Sequence, residues 1–165
     1  MRQAAKSRPN AGILEAEAFR RAAKEGSRLL GLDVGTKRIG LALSDKTHTI
    51  ASGLATLQRR RFSSDAATLL ALSEKHGVGG MVLGLPINLD GSEGPRAQST
   101  RAFAANLARL STLPILLWDE RLSTVAAERA LIEADASRRR RAQVIDKVAA
   151  TLILQGALDR LKRIG

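Results

Sequence analysis

Leu29-Leu30-Gly31-Leu32-Asp33-Val34-Gly35-Thr36-Lys37-Arg38-Ile39-Gly40-Leu41-Ala42-Leu43-Ser44 is the stretch on which the fold depends. Its two halves are apolar and each has the length of a strand. Val34-Gly35-Thr36-Lys37 divides them as a tight, glycine-bearing basic turn, so 29–33 and 38–44 are expected to pair as an antiparallel hairpin. One carboxylate, Asp33, stands where the first strand ends. A carboxylate there needs a metal ion, a metal-bound phosphate or water as its partner.

Downstream of the hairpin a third strand is expected over 50–57, followed by the basic loop Arg59-Arg60-Arg61. Ser63 or Ser64 suits the cap of a helix that runs to about His76, with Ala66, Leu69, Leu70 and Ser73 on its inner face. Gly77-Val78-Gly79-Gly80 marks the end of that helix. The continuous apolar run 81–85 has the pattern of a strand buried on both faces. Pro86 stops it, and the polar loop 87–94 carries Asn88, Asp90, Gly91 and Ser92. Pro95 fits the first position of a helix that turns Phe103, Leu107 and Leu110 inward. A last strand over 114–118 leads into Asp119-Glu120-Arg121. Helices are then expected over 123–134 and 142–163, joined by a basic connector over 135–141.

This order predicts an α/β fold with a five-stranded mixed sheet: three antiparallel strands, then parallel β-α-β units, with helices on both faces. It forms one domain over 29–165. Residues 1–28 carry seven basic residues against three glutamates and are expected to be a basic extension, partly disordered or with a short helix within 13–24, and mostly solvated.

Composition narrows the function classes. The chain has 165 residues and no cysteine, which excludes disulfides and thiolate metal sites and suits a reducing compartment. It contains no apolar run of the ~20 residues a membrane span needs, and its basic start lacks an apolar signal core. A cytoplasmic location is therefore expected. The net charge of +11, from 27 basic and 16 acidic residues, favours a polyanionic partner. Aromatics are only 2% of the residues, which argues against a base-stacking platform.

Three carboxylate positions can carry chemistry. Asp33 ends the first strand, Asp119 and Glu120 end the last, and Asp146 lies in the first turn or two of the final helix. The C-terminal ends of parallel strands share one sheet edge, where open α/β sheets place their sites. Adjacent strand residues face opposite ways, so only one of Asp119 and Glu120 can point at Asp33; the longer Glu120 is preferred. Asp146 heads a small apolar stripe of Ala149, Ala150, Ile153, Gly156 and Ala157, which lets the helix approach the sheet closely. Asp146 is then either a ligand on the buried side or an exposed complement to the helix dipole. Oxygen ligands without Cys or His select Mg²⁺ or Mn²⁺, and carboxylates holding two such ions suit in-line attack of water on a phosphodiester. Candidate nucleic-acid contacts are Lys37, Arg38, Asn88, Arg121, Arg138, Arg139, Arg140 and Arg141.

Four stretches together resemble the motifs of the YqgF family, bacterial proteins with a ribonuclease-H-like fold that are described as Holliday-junction-resolvase-like or as candidate pre-16S rRNA nucleases. They are the hairpin from Gly31 to Ala42, Gly84-Leu85-Pro86-Ile87-Asn88-Leu89-Asp90-Gly91-Ser92, Asp119-Glu120-Arg121-Leu122-Ser123-Thr124, and the segment around Ile145-Asp146-Lys147-Val148-Ala149-Ala150. The resemblance covers about 29–163. It implies acidic metal ligands at Asp33, Glu120 and Asp146, with Asp119 as substitute for Glu120, and nuclease action in maturing the 5′ end of 16S rRNA. Pre-rRNA, branched DNA and ribosomal particles are the partners to expect. Two other readings start from the same residues. Actin-like and sugar-kinase ATPases share the strand-Asp-x-Gly-Thr hairpin, but they need two lobes and this chain has one. A non-catalytic RNA- or ribosome-binding factor would use the arginine runs and leave the acids idle.

Overall fold

The computed structural model describes residues 11–122 and 138–165, with the backbone alone for 138–144. Five strands, β1 (Arg28–Val34), β2 (Arg38–Ser44), β3 (Ala51–Gln58), β4 (Val78–Leu85) and β5 (Ile115–Asp119), form one sheet. Their order is β3-β2-β1-β4-β5. β1 pairs with β2, and β2 with β3, antiparallel; β4 pairs parallel with both β1 and β5. This is the mixed sheet expected from the sequence, and it puts the C-terminal ends of β1, β4 and β5 on one edge.

Alternation along β1 sorts the two faces. Leu30, Leu32 and Val34 join the cluster that contains Leu69 of α2 (Phe62–Lys75) and Phe103 and Leu107 of α3 (Pro95–Leu110). Leu29, with Ala42 of β2 and Val82 of β4, joins Phe19 of α1 (Ala16–Ala22) and Ala150, Ile153 and Leu154 of α4 (Arg138–Arg163). Each fully buried Leu or Phe is worth about 1.5–3 kcal/mol of transfer free energy. Both faces are covered, which is why β4 is buried along its whole length. Among the described residues no helix is long and apolar enough to cross a membrane.

Several boundaries differ from the sequence expectation. Gly77, with φ +64°, does end α2, but Val78, Gly79 and Gly80 belong to β4 rather than to a loop. Those two glycines are strand residues because neighbours fill their side-chain space. A Cβ on Gly79 would collide with Ser27, and one on Gly80 would lie 2.8 Å from the Phe19 ring. Ser63 and Ser64 lie inside α2, whose N-cap is Arg61 with no side-chain cap. Asp65 serves the helix start instead: both its carboxylate oxygens accept the Arg60 N–H at 3.1 Å. Leu110, expected inward, is 56% exposed at the end of α3. Arg138–Arg141 open α4 instead of forming a connector. The helix expected over 123–134 lies outside the described residues.

The segment before β1 is not solvated throughout. Gly12 accepts a hydrogen bond from the Ile115 N–H at 2.9 Å, and Leu14 N–H donates to the Ile115 carbonyl at 2.8 Å. Ile13 thereby forms a parallel bridge to β5. Phe19 is fully buried over Gly80 and Leu29. Replacing Phe19 by Ala is expected to lower unfolding free energy by about 3–5 kcal/mol in urea melts. A change below about 1 kcal/mol would show that α1 is not part of the packed core.

The β2–β3 turn is organised by Asp45. Its carboxylate accepts from Thr47 Oγ1 at 2.6 Å and from the N–H groups of Thr49 and Ile50 at 2.7 and 3.1 Å. The Thr47 hydroxyl first, and then the backbone donors, hold its pKa at about 2, below the ordinary 3.8. A depressed folded-state pKa means that the stabilisation is complete above pH 3.8 and is lost as pH falls through about 2. Carboxyl NMR titration of Asp45 should show that low midpoint; a midpoint near 3.8 would mean that the turn is not closed in solution.

Candidate active site

Asp33 follows Leu29 and Gly31 on the α4 side of β1 and is 3% exposed. A glycine lies beside it on each neighbouring strand. Gly40 of β2 is its antiparallel partner, and Gly84 of β4 follows directly on the Leu32–Leu83 pair. Each glycine leaves room for another acidic residue. A Cβ on Gly40 would collide with the backbone carbonyl of Asp146, and one on Gly84 would stand 2.6 Å from Glu120 Oε1. The missing side chains thus let α4 lie on the hairpin and let Glu120 reach over β4.

Asp119 and Glu120 separate as strand alternation requires. Leu116 and Trp118 face α4, so Asp119, the last residue of β5, faces the other way. Arg121 holds it there: its Nε donates to both carboxylate oxygens at 3.1 Å, its Nη2 to Oδ2 at 2.7 Å, and its backbone N–H to Oδ1 at 3.0 Å. This pairing lowers the Asp119 pKa and raises that of Arg121. Glu120 begins a short 3₁₀ turn that ends at Leu122 and carries its carboxylate to the Gly84 side.

Two arginines stand among the acids on the α4 side. Arg38 Nε donates to Asp146 Oδ2 at 2.8 Å, with both side chains half-buried. Arg96 Nη2 lies 3.5 Å from Asp33 Oδ1 and is 44% exposed. Both line a cleft of about 300 Å³ with Gly35, Thr36, Lys37 and Asp146. The turn forming its floor is fixed from behind. Gly35 N–H donates to the Arg38 carbonyl at 2.9 Å, and Arg59 Nη1 donates to the Gly35 carbonyl at 2.8 Å. Arg59 also stacks over Phe103, 5.5 Å from the ring centroid, so this member of the arginine loop braces the turn.

Asn88 is engaged within its own loop. Its side-chain amide donates to Ser92 Oγ at 3.0 Å, and its backbone exchanges hydrogen bonds with Ser92 and Gly91. Arg138, Arg139, Arg140 and Arg141 lie in the first turns of α4, and their side chains lie outside the described residues. Arg96 was not singled out from the sequence, although a signal was present. It follows Pro95 in the first turn of α3, where the helix dipole disfavours a cation. A cation placed there needs a carboxylate or an anion to offset that cost.

The donor set of Asp33, Glu120 and Asp146 consists of hard oxygens only, which suits Mg²⁺ or Mn²⁺. The bare faces of Gly40 and Gly84 give two of these acids their room. In this arrangement Arg38 and Arg96 approach the carboxylates themselves. Among the described residues no three acidic or histidine side chains are grouped to hold one ion.

Comparison with known proteins places this geometry in a family. The model described as RuvX, Holliday junction resolvase, matches residues 27–160. A protein of Paracoccus denitrificans, named as a candidate pre-16S rRNA nuclease, is 60% identical over 149 residues, covering 90% of this chain and 94% of that protein. A Bradyrhizobium protein of the same name is 66% identical over 137 residues, covering 83% and 85%. Among solved structures, Thermus thermophilus RuvC in complex with a Holliday junction substrate has a TM-score of 0.53 at 11% identity, covering 82% of this chain and 96% of that one. The Thermus thermophilus RuvC structure gives 0.51 at 15% identity, covering 82% and 97%. These two likenesses show the fold, which is ribonuclease-H-like. The match from the start of β1 to the last turns of α4, together with relatives covered over most of their length, makes this chain a member of the RuvX family.

Proposed function

We propose that this chain is a divalent-metal-dependent nuclease that hydrolyses a phosphodiester bond in the 5′-end maturation of 16S rRNA. The observation that carries this reading is that Gly40 and Gly84, on the two strands flanking Asp33, leave bare backbone that admits the Asp146 segment of α4 and the Glu120 carboxylate, beside a cleft lined by Lys37, Arg38 and Arg96. The names of the relatives supply the substrate class. The working unit is the domain over 29–165 together with the segment from Gly12 to Arg28 that packs on it, acting in the cytoplasm on pre-rRNA or on ribosomal particles.

In this reading Asp33, Glu120 and Asp146 would hold Mg²⁺ or Mn²⁺, while Asp119 stays with Arg121. When bound, such an ion supplies a water of lowered pKa and stabilises charge on the phosphate oxygens. The chain's own residues do the positioning. Lys37, Arg38 and Arg96 offer N–H donors to phosphate oxygens along one wall of the cleft. To do so, Arg38 and Arg96 exchange a carboxylate partner for a phosphate. Asp33 keeps its place because β1 is paired on both sides and its side chain is buried.

Asp33→Asn is expected to reduce cleavage of a pre-16S fragment about a hundredfold or more in Mg²⁺ or Mn²⁺, with RNA binding retained. Cleavage within tenfold of wild type would remove Asp33 from the chemistry. Chelation should abolish cleavage and added Mn²⁺ restore it; cleavage that persists in chelator overturns the metal assignment. Depletion of the protein in cells should leave 16S rRNA with extended 5′ ends on sequencing. Mature ends under depletion, with four-way DNA junctions cut by the purified protein, would move the activity to branched DNA.

A further inference from the structure

At the opposite end of the sheet a second cleft, of about 480 Å³, lies between the last turn of α1, the β2–β3 turn and the last turns of α4. Arg20, Arg21, Lys46 and Lys162 bring four cations to it, against one carboxylate, Glu25. Among the described residues none of these four cations is in an ion pair; the pairs formed are Arg38–Asp146, Arg96–Asp33, Arg101–Glu93 and Arg121–Asp119. Three of the four have a local explanation. Arg20 and Arg21 close α1 and Lys162 closes α4, where cations complement the helix dipole. That explanation does not extend to Lys46, which sits on a turn, nor to the meeting of three separate elements around one cavity.

The turn presenting Lys46 is rigid. Asp45 gathers three donors at its base, and His48 has φ +54°. His48 Nε2–H donates to the Ser27 carbonyl at 2.7 Å, which ties the turn to the start of β1. The four side chains are exposed, but the elements that carry them are held together, and a cluster of like charges around a cavity raises the local concentration of anions. The two clefts also have a fixed separation. The stretch of α4 from Asp146 to Lys162, at 1.5 Å per residue, spans about 24 Å.

We propose that the cleft of Arg20, Arg21, Lys46 and Lys162 binds the phosphate backbone of the RNA that is cut at the other end of the sheet, about 24 Å away. This rests on the nucleic-acid reading above and extends it to a second point of contact. It gives α1, outside the strands that carry the acids, a part in substrate binding. Arg20 packs its guanidinium against Gly165, so the variants that test the idea leave it in place.

The test uses the full chain carrying Asp33→Asn, so that RNA is bound and not consumed. The variant Arg21→Gln/Lys46→Gln/Lys162→Gln is compared with a control of equal charge change, Lys24→Gln/Lys75→Gln/Arg160→Gln. Binding of an RNA duplex long enough to span both clefts is followed by fluorescence anisotropy across a KCl series. Loss of three phosphate contacts should make the slope of log K against log salt shallower by about 2–3, and the control should leave it near the parent value. A slope unchanged in the cleft variant, or changed equally in the control, overturns the proposal. Binding of a polyglutamate peptide that the cleft variant loses while its RNA slope is unmoved also overturns it, and assigns the cleft to an acidic protein segment. Because binding is read without cleavage, the two readings fail separately. If wild type never cuts RNA but the slope falls as expected, the cleft stands and the nuclease reading falls.

Discussion

The contact between α4 and the bare backbone of the sheet is the constraint on which the rest depends. Gly31, Gly40 and Gly84 present no side chain to the face that α4, or the residue after β5, must occupy. A Cβ on Gly31 would stand 2.7 Å from Leu154 Cβ, and one on Gly40 would overlap the Asp146 carbonyl. Lifting the helix by the thickness of a methyl group would loosen the packing of Ala150, Ile153 and Leu154 together, because interiors pack densely and close gaps only in part. It would also lift Asp146 away from Asp33. The residues that bury the helix and those that gather the acids therefore answer to the same geometric requirement.

Electrostatics works against this gathering and is offset locally. A buried carboxylate is costly unless it is paired or hydrogen-bonded, and Asp33 is almost wholly enclosed. Arg96 and Arg38 bring positive charge to Asp33 and Asp146, and Arg121 takes Asp119 to the other face. The 27 basic residues thus serve different ends. Some balance acids, Arg59 braces the β1–β2 turn, and four collect at the far cleft. The arginines that pair with acids are half-exposed, so water and ligands can reach them.

What could be read from the sequence was what local pattern encodes. The hairpin, the buried run of β4, Pro95 at the start of α3 and the small stripe of α4 each carry their signal in adjacent or periodic residues. The facing of Asp119 follows from strand alternation, while the 3₁₀ turn after β5 places Glu120. What escaped depends on partners far along the chain. Gly79-Gly80 looks like a helix stop until Phe19 and Ser27 are known to fill its side-chain space. Ser63 and Ser64 look like caps until Asp65 is seen to accept the Arg60 N–H. Arg96 has meaning only beside Asp33, on another element. The matching of Gly40 to Asp146 and of Gly84 to Glu120 is invisible in one dimension, since a glycine gives no hint of what will lie against it.

The docking of α1 also has a consequence for the order of assembly during synthesis. Phe19 precedes the sheet in the chain, yet it packs on Gly80, and Gly12 and Leu14 bond to Ile115 of the last strand. Closing loops of that length costs entropy, which only the finished sheet can offset. The Phe19 contact thus requires β4, and the bonds of Gly12 and Leu14 to Ile115 require β5. Until then the Gly79–Gly80 stretch of β4 is bare, and its apolar neighbours are open to solvent and to other chains. α1 thus closes the core over Gly80, and folding yield should be more sensitive to it than its short length suggests.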